Sequence, residues 1–490
     1  MAGPGPASRR SRRSEASSSS ESALGTFDIS NLDNRVVTPP RSLPLVTYRS
    51  DSDDDTKRLK ALFGDAFERK AVELTSNIGI PTATVDASFR YSSTSGHMTA
   101  ISLFKLGFDG DLDNPNTVYG RYSKTVNAGD DVGAHRYIKR EDGKLLSPMV
   151  GTLGCWIEIK IKDRGWKKVG LTCYHVIRPC LDGFRMRVEE VEKHGKLVLR
   201  KPKKDSDLWA ADIHGLKTEG SGGRLVEHPT RAKHNFTIED RRERVERLES
   251  TGYPNDALDV KAGLDEAIAF FDGDNQLFGQ VIFASGYMGR TRANGRLDWA
   301  LISPRADRIG GNPLPSEDAW QAKKYDYGNI PVELKGNIRP QAHSIYELEG
   351  DNTLDKVVFK NGASTTCTKG VFSKVKTDCA IAEERYMLEE DHVPRQVEAG
   401  YKSREFAFIS PDGVEGTFAS RGDSGAVAWD QYGRVMGLLF TGQKPQQADK
   451  GYSLVTPIED VFQDIMDKSE GSILGIRIPT DGGDEDVEMA

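Results

Sequence analysis

Three things are scarce in this chain, and each scarcity excludes something. No apolar run approaches the roughly 18 residues that a membrane-spanning helix needs. Basic charge is not in excess: 67 Lys and Arg stand against 74 Asp and Glu, a net charge of -7, so no general cationic pull toward nucleic acid or anionic membrane exists. Cysteine is sparse. Cys155, Cys173, Cys180, Cys367 and Cys379 are an odd set, and the arginines of MAGPGPASRRSRRSEASSSSESA are followed by no apolar leader. That combination predicts reduced thiols in an intracellular compartment, cytoplasmic or nuclear. No Cys/His group has metal-ligand spacing, so no metal or cofactor is expected. RKPKK at 200–204 is basic but has no interleaved aromatics, and reads as a solvated loop rather than a nucleic-acid site.

What is present divides the chain. Residues 1–55 are rich in Ser, Pro, Arg and Asp and are expected to be a disordered tail, whose paired arginines read as a solvated tail or a nuclear address. Residues 56–147 mix a helical pattern (Leu59, Leu62, Phe63, Phe67) with strand-like pieces near Ala83 to Val85, suggesting a small α/β region of no evident chemistry. Residues 476–490 are an acidic tail.

From 148 to 475 the texture is β. In CWIEIKIK, Cys155, Ile157, Ile159 and Ile161 alternate with charged residues, the period of a strand with one buried face. Asp163-Arg164-Gly165 turns the chain into a second strand, Trp166 to Thr172. FGQVIFASG, RLDWALI, KVVFKNGASTT (with a turn at Asn361-Gly362), EFAFIS, GAVAW and RVMGLLFT continue the pattern, which indicates a sandwich or barrel. A helical insertion is expected at about 235–275: Thr237 to Ser250, with Thr237 and Asp240 as a capping signal, then Ala257 to Phe271. Thr456-Pro457-Ile458-Glu459 reads as a capping box opening a helix with Ile458, Val461, Phe462 and Ile465 on its buried face.

SRGDSGAVAW at 420–429 sets Ser424 between glycines and Asp423. A serine hydroxyl attacks a carbonyl only with a base in reach, a group that fixes the base's tautomer, and N–H donors for the developing oxyanion. Gly422 permits the backbone turn that aims its own N–H and that of Ser424 into one space. All nine histidines precede Ser424, and Ala426 replaces the last glycine of G-x-S-x-G, so the α/β-hydrolase order is excluded. His175, in GLTCYHVIRP, lies where a strand ends, either as a base or as a strand cap. Asp298, in RLDWALISP, precedes an apolar strand and needs a partner, either a histidine ring or backbone.

TCYHV, LDWALI and GDSG, in this order, resemble the histidine, aspartate and serine motifs of the chymotrypsin-like (trypsin-like) serine peptidases over about residues 148–470. ASGYMGR and GASTTCTKGVF look like intracellular fungal or bacterial-type members. The resemblance implies a mainly β fold, a double β-barrel carrying the helical insertion. It also implies a peptidase acting on a polypeptide substrate through an acyl-enzyme: His175 the general base, Asp298 its orienting acid, Ser424 the nucleophile, and the N–H groups of Gly422 and Ser424 the oxyanion hole. Phe440, Thr441 and Gly442 would pair with the substrate backbone, and Phe418 and Gly451 would line the pocket for the residue before the cleaved bond. Phe418 stands where a trypsin would carry an acid, so cleavage after Lys or Arg is not supported, and a hydrophobic or small residue is favoured. The family's secreted members pair the aspartate before the serine with a newly cut N-terminus; no activation site is recognisable here, so Asp423 is expected to bond locally. A catalytically silent scaffold and a self-cleaving protein are the competing readings.

Overall fold

The computed structural model describes residues 119–137, 149–184, 206–217, 224–286, 289–323, 334–349, 357–373, 376, 403–410, 418–441 and 452–479, with backbone alone for short flanking strand pieces. The expected N-terminal tail, residues 480–490 of the expected C-terminal tail, the helical pattern at Leu59 to Phe67, the RKPKK stretch and Gly451 lie outside the described residues, while Ile476 and Arg477, expected in the acidic tail, belong instead to a strand paired with Ile159 and Glu158. No helix among the described residues is long and apolar enough to cross a membrane.

The first sheet uses β1 (Asp131–Ala134), β2 (Gly151–Thr152), β3 (Cys155–Ile161), β4 (Gly165–Thr172), β5 (Leu225–Glu227), β6 (Leu277–Ala284) and β7 (Ala300–Pro304). Its antiparallel order is β3-β4-β7-β6-β5-β1-β2. Because β2 and β3 are one run of chain, the sheet returns on itself as a barrel. Cys155, Ile157 and Ile159 are buried as the alternation predicts. Trp156, on the opposite face, is buried as well and donates its ring N–H to the Val126 carbonyl at 2.9 Å.

The second sheet uses β8 (Val357–Gly362), β9 (Thr366–Phe372), β10 (Lys402–Ile409), β11 (Val427–Trp429), β12 (Val435–Gln443) and β13 (Tyr452–Pro457). It runs β9-β8-β11-β12-β13-β10, and β10 pairs back to β9, closing a six-stranded barrel. The chain is therefore mainly β, with the double barrel that the resemblance implies. A last strand, β14 (Ile473–Arg477), returns to pair with β3 of the first barrel.

Helices decorate this frame. α1 (Tyr174–Ile177) follows β4 directly, while α2 (Arg231–Ser250) and α3 (Pro254–Asp272) form the insertion. α2 begins six residues before the expected Thr237, capped by Thr230, whose hydroxyl accepts from Lys233 N. The early start escaped the apolar pattern because the buried face of its first turns is Lys233, His234 and Thr237, polar side chains held by specific partners. Thr237 bonds back to the Lys233 carbonyl at 2.7 Å instead of capping. α2 meets α3 through Ile238, Leu264 and Ala267.

Two further expectations are corrected. β13 extends through Pro457, so no capping box forms at Thr456; its hydroxyl donates to the Arg296 carbonyl at 2.8 Å. α4 (Ile458–Lys468) still buries Ile458, Val461 and Ile465. β8 continues through Asn361-Gly362, and the turn falls at Ala363 to Thr365, because the ladder pairs Gly362 with Thr366. This moves Ser364 and Thr365 into the turn, where their N–H groups are available to a side chain.

Candidate active site

β4 carries the chain into the seam between the barrels and releases it at Cys173; α1 then places His175, 9% exposed, on its first turn. Asp298, fully buried, arrives just before β7, the strand paired with β4. The two are joined twice: Asp298 Oδ2 lies 2.7 Å from His175 Nδ1, and Oδ1 accepts the His175 backbone N–H at 3.0 Å. Burial pushes the Asp298 carboxyl up, but the opposed charges of His175 and Arg296 and the bonds from His175 outweigh it and hold it at about 2. An ionised carboxylate only accepts, so Nδ1 is the donor in this contact.

Ser424 comes from the second barrel, on the loop before β11. Gly422 and Gly425 both take positive φ, +91° and +95°. A Cβ at Gly425 would approach the Thr152 carbonyl to 2.3 Å, so only glycine lets this loop lie against the first barrel. Two bonds fasten it there, Thr152 N donating to the Ser424 carbonyl at 2.7 Å and Thr152 Oγ1 to the Gly422 carbonyl at 2.8 Å, while Gly425 N ties it to its own barrel through the Leu439 carbonyl at 2.7 Å. Thr152 Oγ1 also accepts Ala363 N at 3.0 Å, tying the loop to the β8–β9 turn.

Asp423 turns inward, fully buried. Its oxygens accept Ser364 N (2.9 Å), Thr365 N (3.1 Å), Thr365 Oγ1 (2.7 Å) and Ser420 N (2.8 Å). The expected local bonding is present, and a counter-ion accompanies it: Lys360 Nζ, also fully buried, stands 3.1 Å from Asp423 Oδ2. Burial pushes the Lys360 ammonium down, and Asp423 pulls it back up. The Arg421 carbonyl is engaged by the Ser364 hydroxyl. Among the described residues no protein acceptor takes the N–H of Gly422 or Ser424, leaving both donors available to a ligand.

The Ser424 hydroxyl donates to the Phe440 carbonyl at 3.2 Å, and among the described residues it makes no bond to the His175 ring. Phe440 sits where β12 bulges: Leu439 pairs with Val455 and Thr441 with Leu454, leaving Phe440 unpaired and its carbonyl free to face the serine. Thr441 and Gly442 follow on the same strand. Phe418 is 1% exposed and belongs to the core of the second barrel, its ring edge-on to Phe408 at 5.8 Å.

Cys173 Sγ, His175 and Asp298 place ligand-type atoms within 4.8 Å of one another, a grouping that linear spacing does not reveal. Hydrogen bonds account for it: both Asp298 oxygens serve His175, and the Cys173 thiol donates to the Leu439 carbonyl at 3.2 Å. Burial pushes that thiol well above its ordinary range, so it stays protonated. Cys155, Cys180 and Cys367 are likewise buried and unbridged.

Sequence reasoning missed Thr152, Lys360 and Arg296. A lysine inside the apolar run VVFK was the one visible signal, since a strand core accepts a cation only with a partner.

No protein-family model matches the chain, and no curated protein does. Among solved structures it is similar to a chymotrypsin of Cellulomonas bogoriensis, at 12% identity over 42% of this chain and 78% of that one, with a TM-score of 0.24. It is also similar to a glutamic-acid-specific serine protease (8% identity, 72% of this chain, all of that one, TM-score 0.31). A third is the Nocardiopsis protease (8%, 73% of this chain, all of that one, TM-score 0.30).

Proposed function

We propose that the chain is a serine endopeptidase with a polypeptide substrate, His175 acting as general base, Asp298 as its orienting acid and Ser424 as nucleophile. The observation that carries this reading is the pair of hydrogen bonds between Asp298 and His175, set in the seam where the Ser424 loop is clamped. In the reaction, the Ser424 hydroxyl swings from the Phe440 carbonyl to His175 Nε2. Oγ attacks the scissile carbonyl as the ring takes its proton, and the imidazolium then protonates the leaving amine. Water repeats the sequence on the acyl-enzyme, with His175 again accepting and returning a proton. The N–H groups of Gly422 and Ser424 stabilise the oxyanion in both steps. Phe440 to Gly442 would pair with substrate backbone, and the apolar Phe418 favours a small or hydrophobic residue before the cleaved bond.

The Ser424–Phe440 hydrogen bond favours a second reading, a silent peptidase-fold scaffold, because it commits the serine hydroxyl to a backbone carbonyl. A fluorophosphonate probe separates the two. Labelling of the wild type and not of Ser424→Ala supports the peptidase; equal labelling of both sinks it.

A further inference from the structure

Lys233 stands on the first turn of α2 and is buried. Its ammonium donates to the Ala363 carbonyl, in the turn between β8 and β9 of the second barrel. Ala363 is buried too, and its N donates to Thr152 Oγ1 at 3.0 Å. Both backbone groups of this one residue therefore end on side chains from outside the second barrel. The next two residues, Ser364 and Thr365, give their N–H groups to Asp423 Oδ1 at 2.9 and 3.1 Å. Gly362 admits that carboxylate, because a Cβ there would lie 2.3 Å from Asp423 Oδ1. A short run of chain thus joins α2 to the residue between Gly422 and Ser424.

Anchoring of α2 is the competing explanation for Lys233. Other groups already do that. Thr230 N donates to Asp131 Oδ2 at 2.7 Å, Arg231 N to Glu227 Oε1 at 2.6 Å, and Gly120 N to Thr237 Oγ1 at 3.0 Å. Ile238 packs on Leu264 and Ala267 of α3. None of these contacts involves the second barrel, whereas Lys233 reaches it. Asp131 is the opposite charge that Lys233 acts on: burial pushes its carboxyl up, and Lys233, ahead of His228, outweighs this and holds it below its ordinary range. Taking an ammonium out of water costs free energy, and a neutral carbonyl compensates for it less than a bonded carboxylate does. That placement is poor for anchoring a helix and effective for holding a turn.

Building on the peptidase reading, we propose that the helical insertion serves the active site: Lys233 is a positioning residue that fixes the β8–β9 turn and, through Asp423, the two N–H donors of Gly422 and Ser424. The insertion then does from within the chain what the Lys360 counter-ion does from the strand side, holding Asp423 by way of the turn that bonds it.

The test follows amide hydrogen exchange by mass spectrometry in peptides covering 361–366 and 420–426, with peptides from β4 and β6 as the reference, for the wild type, Lys233→Met and Leu264→Ala. Leu264→Ala opens a cavity between α2 and α3 and loosens the insertion without touching the turn. Fluorophosphonate labelling is resolved in parallel into probe affinity and maximal rate, under conditions where every variant is folded. Lys233→Met is expected to speed exchange in both active-site peptides by about tenfold, the effect of one lost buried hydrogen bond. Its maximal labelling rate should fall, by at most the roughly 100-fold that loss of one oxyanion donor causes, with affinity unchanged. Leu264→Ala should leave both peptides at the wild-type rate. A folded Lys233→Met that exchanges there like the wild type overturns the inference, and so does equal loosening by Leu264→Ala, which is what a purely structural lysine predicts. If Lys233→Met does not fold, adding Asp131→Asn removes the stranded charge, and comparison with Asp131→Asn alone reads the same difference. A wild type that never labels defeats the peptidase reading only; exchange in the two peptides still decides the role of Lys233.

Discussion

Lys360 and Asp423 form an ion pair inside the second barrel, 3.1 Å apart and both fully shut off from solvent. The cation comes from β8, within the chain, so the order of the Ser424 loop does not wait on a terminal amine. Breaking a buried pair by removing one partner strands the other charge, at roughly 3–5 kcal/mol. Lys360→Met is therefore expected to lower urea-unfolding stability by that order and to slow fluorophosphonate labelling. Adding Asp423→Asn should recover part of the stability. Full stability of the single variant would show that the hydrogen bonds to Asp423 suffice without the lysine.

Thr152 Oγ1 joins the β8–β9 turn to the Ser424 loop, accepting Ala363 N and donating to the Gly422 carbonyl. Thr152→Val keeps the shape and leaves both backbone groups buried without that partner, a cost of about 1–3 kcal/mol each. The expected result is a measurable fall in melting temperature and slower labelling. Thr152→Ser should restore both; failure of serine to do so would assign the effect to the methyl group.

In the proposed peptidase Asp298 would hold the histidine tautomer, and on that reading Asp298→Asn is expected to reduce turnover by roughly 10⁴-fold while the fold persists. Linkage adds a stability signature. The folded value of about 2 lies below the ordinary 3.8, so the contribution is present above about pH 4 and is lost as pH falls toward 2. Acid unfolding of the wild type should carry this slope and Asp298→Asn should lack it, which denaturant melts between pH 2 and 5 measure.

Glu405 has the opposite sign. Burial pushes it to about 7 from an ordinary 4.5, so the folded state binds more protons between those values and stability falls as pH rises through that window. Glu405→Gln keeps an oxygen for Arg296 N and removes the titration. Its stability relative to the wild type should grow from pH 4.5 to 7 and then level off; a difference independent of pH would show that Glu405 titrates normally.

The β architecture was legible where side-chain alternation is local. Cys155 to Ile161 and the turn at Asp163 to Gly165 announce their hairpin, because a strand with one buried face writes its period into the sequence. Alternation failed where polar residues were buried: α2 begins with Lys233, His234 and Thr237 facing inward, meeting the Ala363 carbonyl, the Tyr122 hydroxyl and the Gly120 N–H respectively, all far away in the chain. The order of TCYHV, LDWALI and GDSG singled out His175, Asp298 and Ser424 for the same reason, since each motif is a short stretch whose residue types fit one task.

The sequence by itself determined the strand pattern, the three candidate residues and the glycines that let their loop turn. Only the tertiary structure decided what surrounds them: Lys360 against Asp423, Thr152 under the Gly422 carbonyl, Arg296 on Asp298, the Ser424 hydroxyl on Phe440 and Phe418 in the core. Lys360 and Asp423, and Thr152 and Gly422, join distant stretches of chain, whereas Ser424 and Phe440 meet across one turn of the second barrel. Their energies depend on distance and burial, which arise only when folding brings separate strands together.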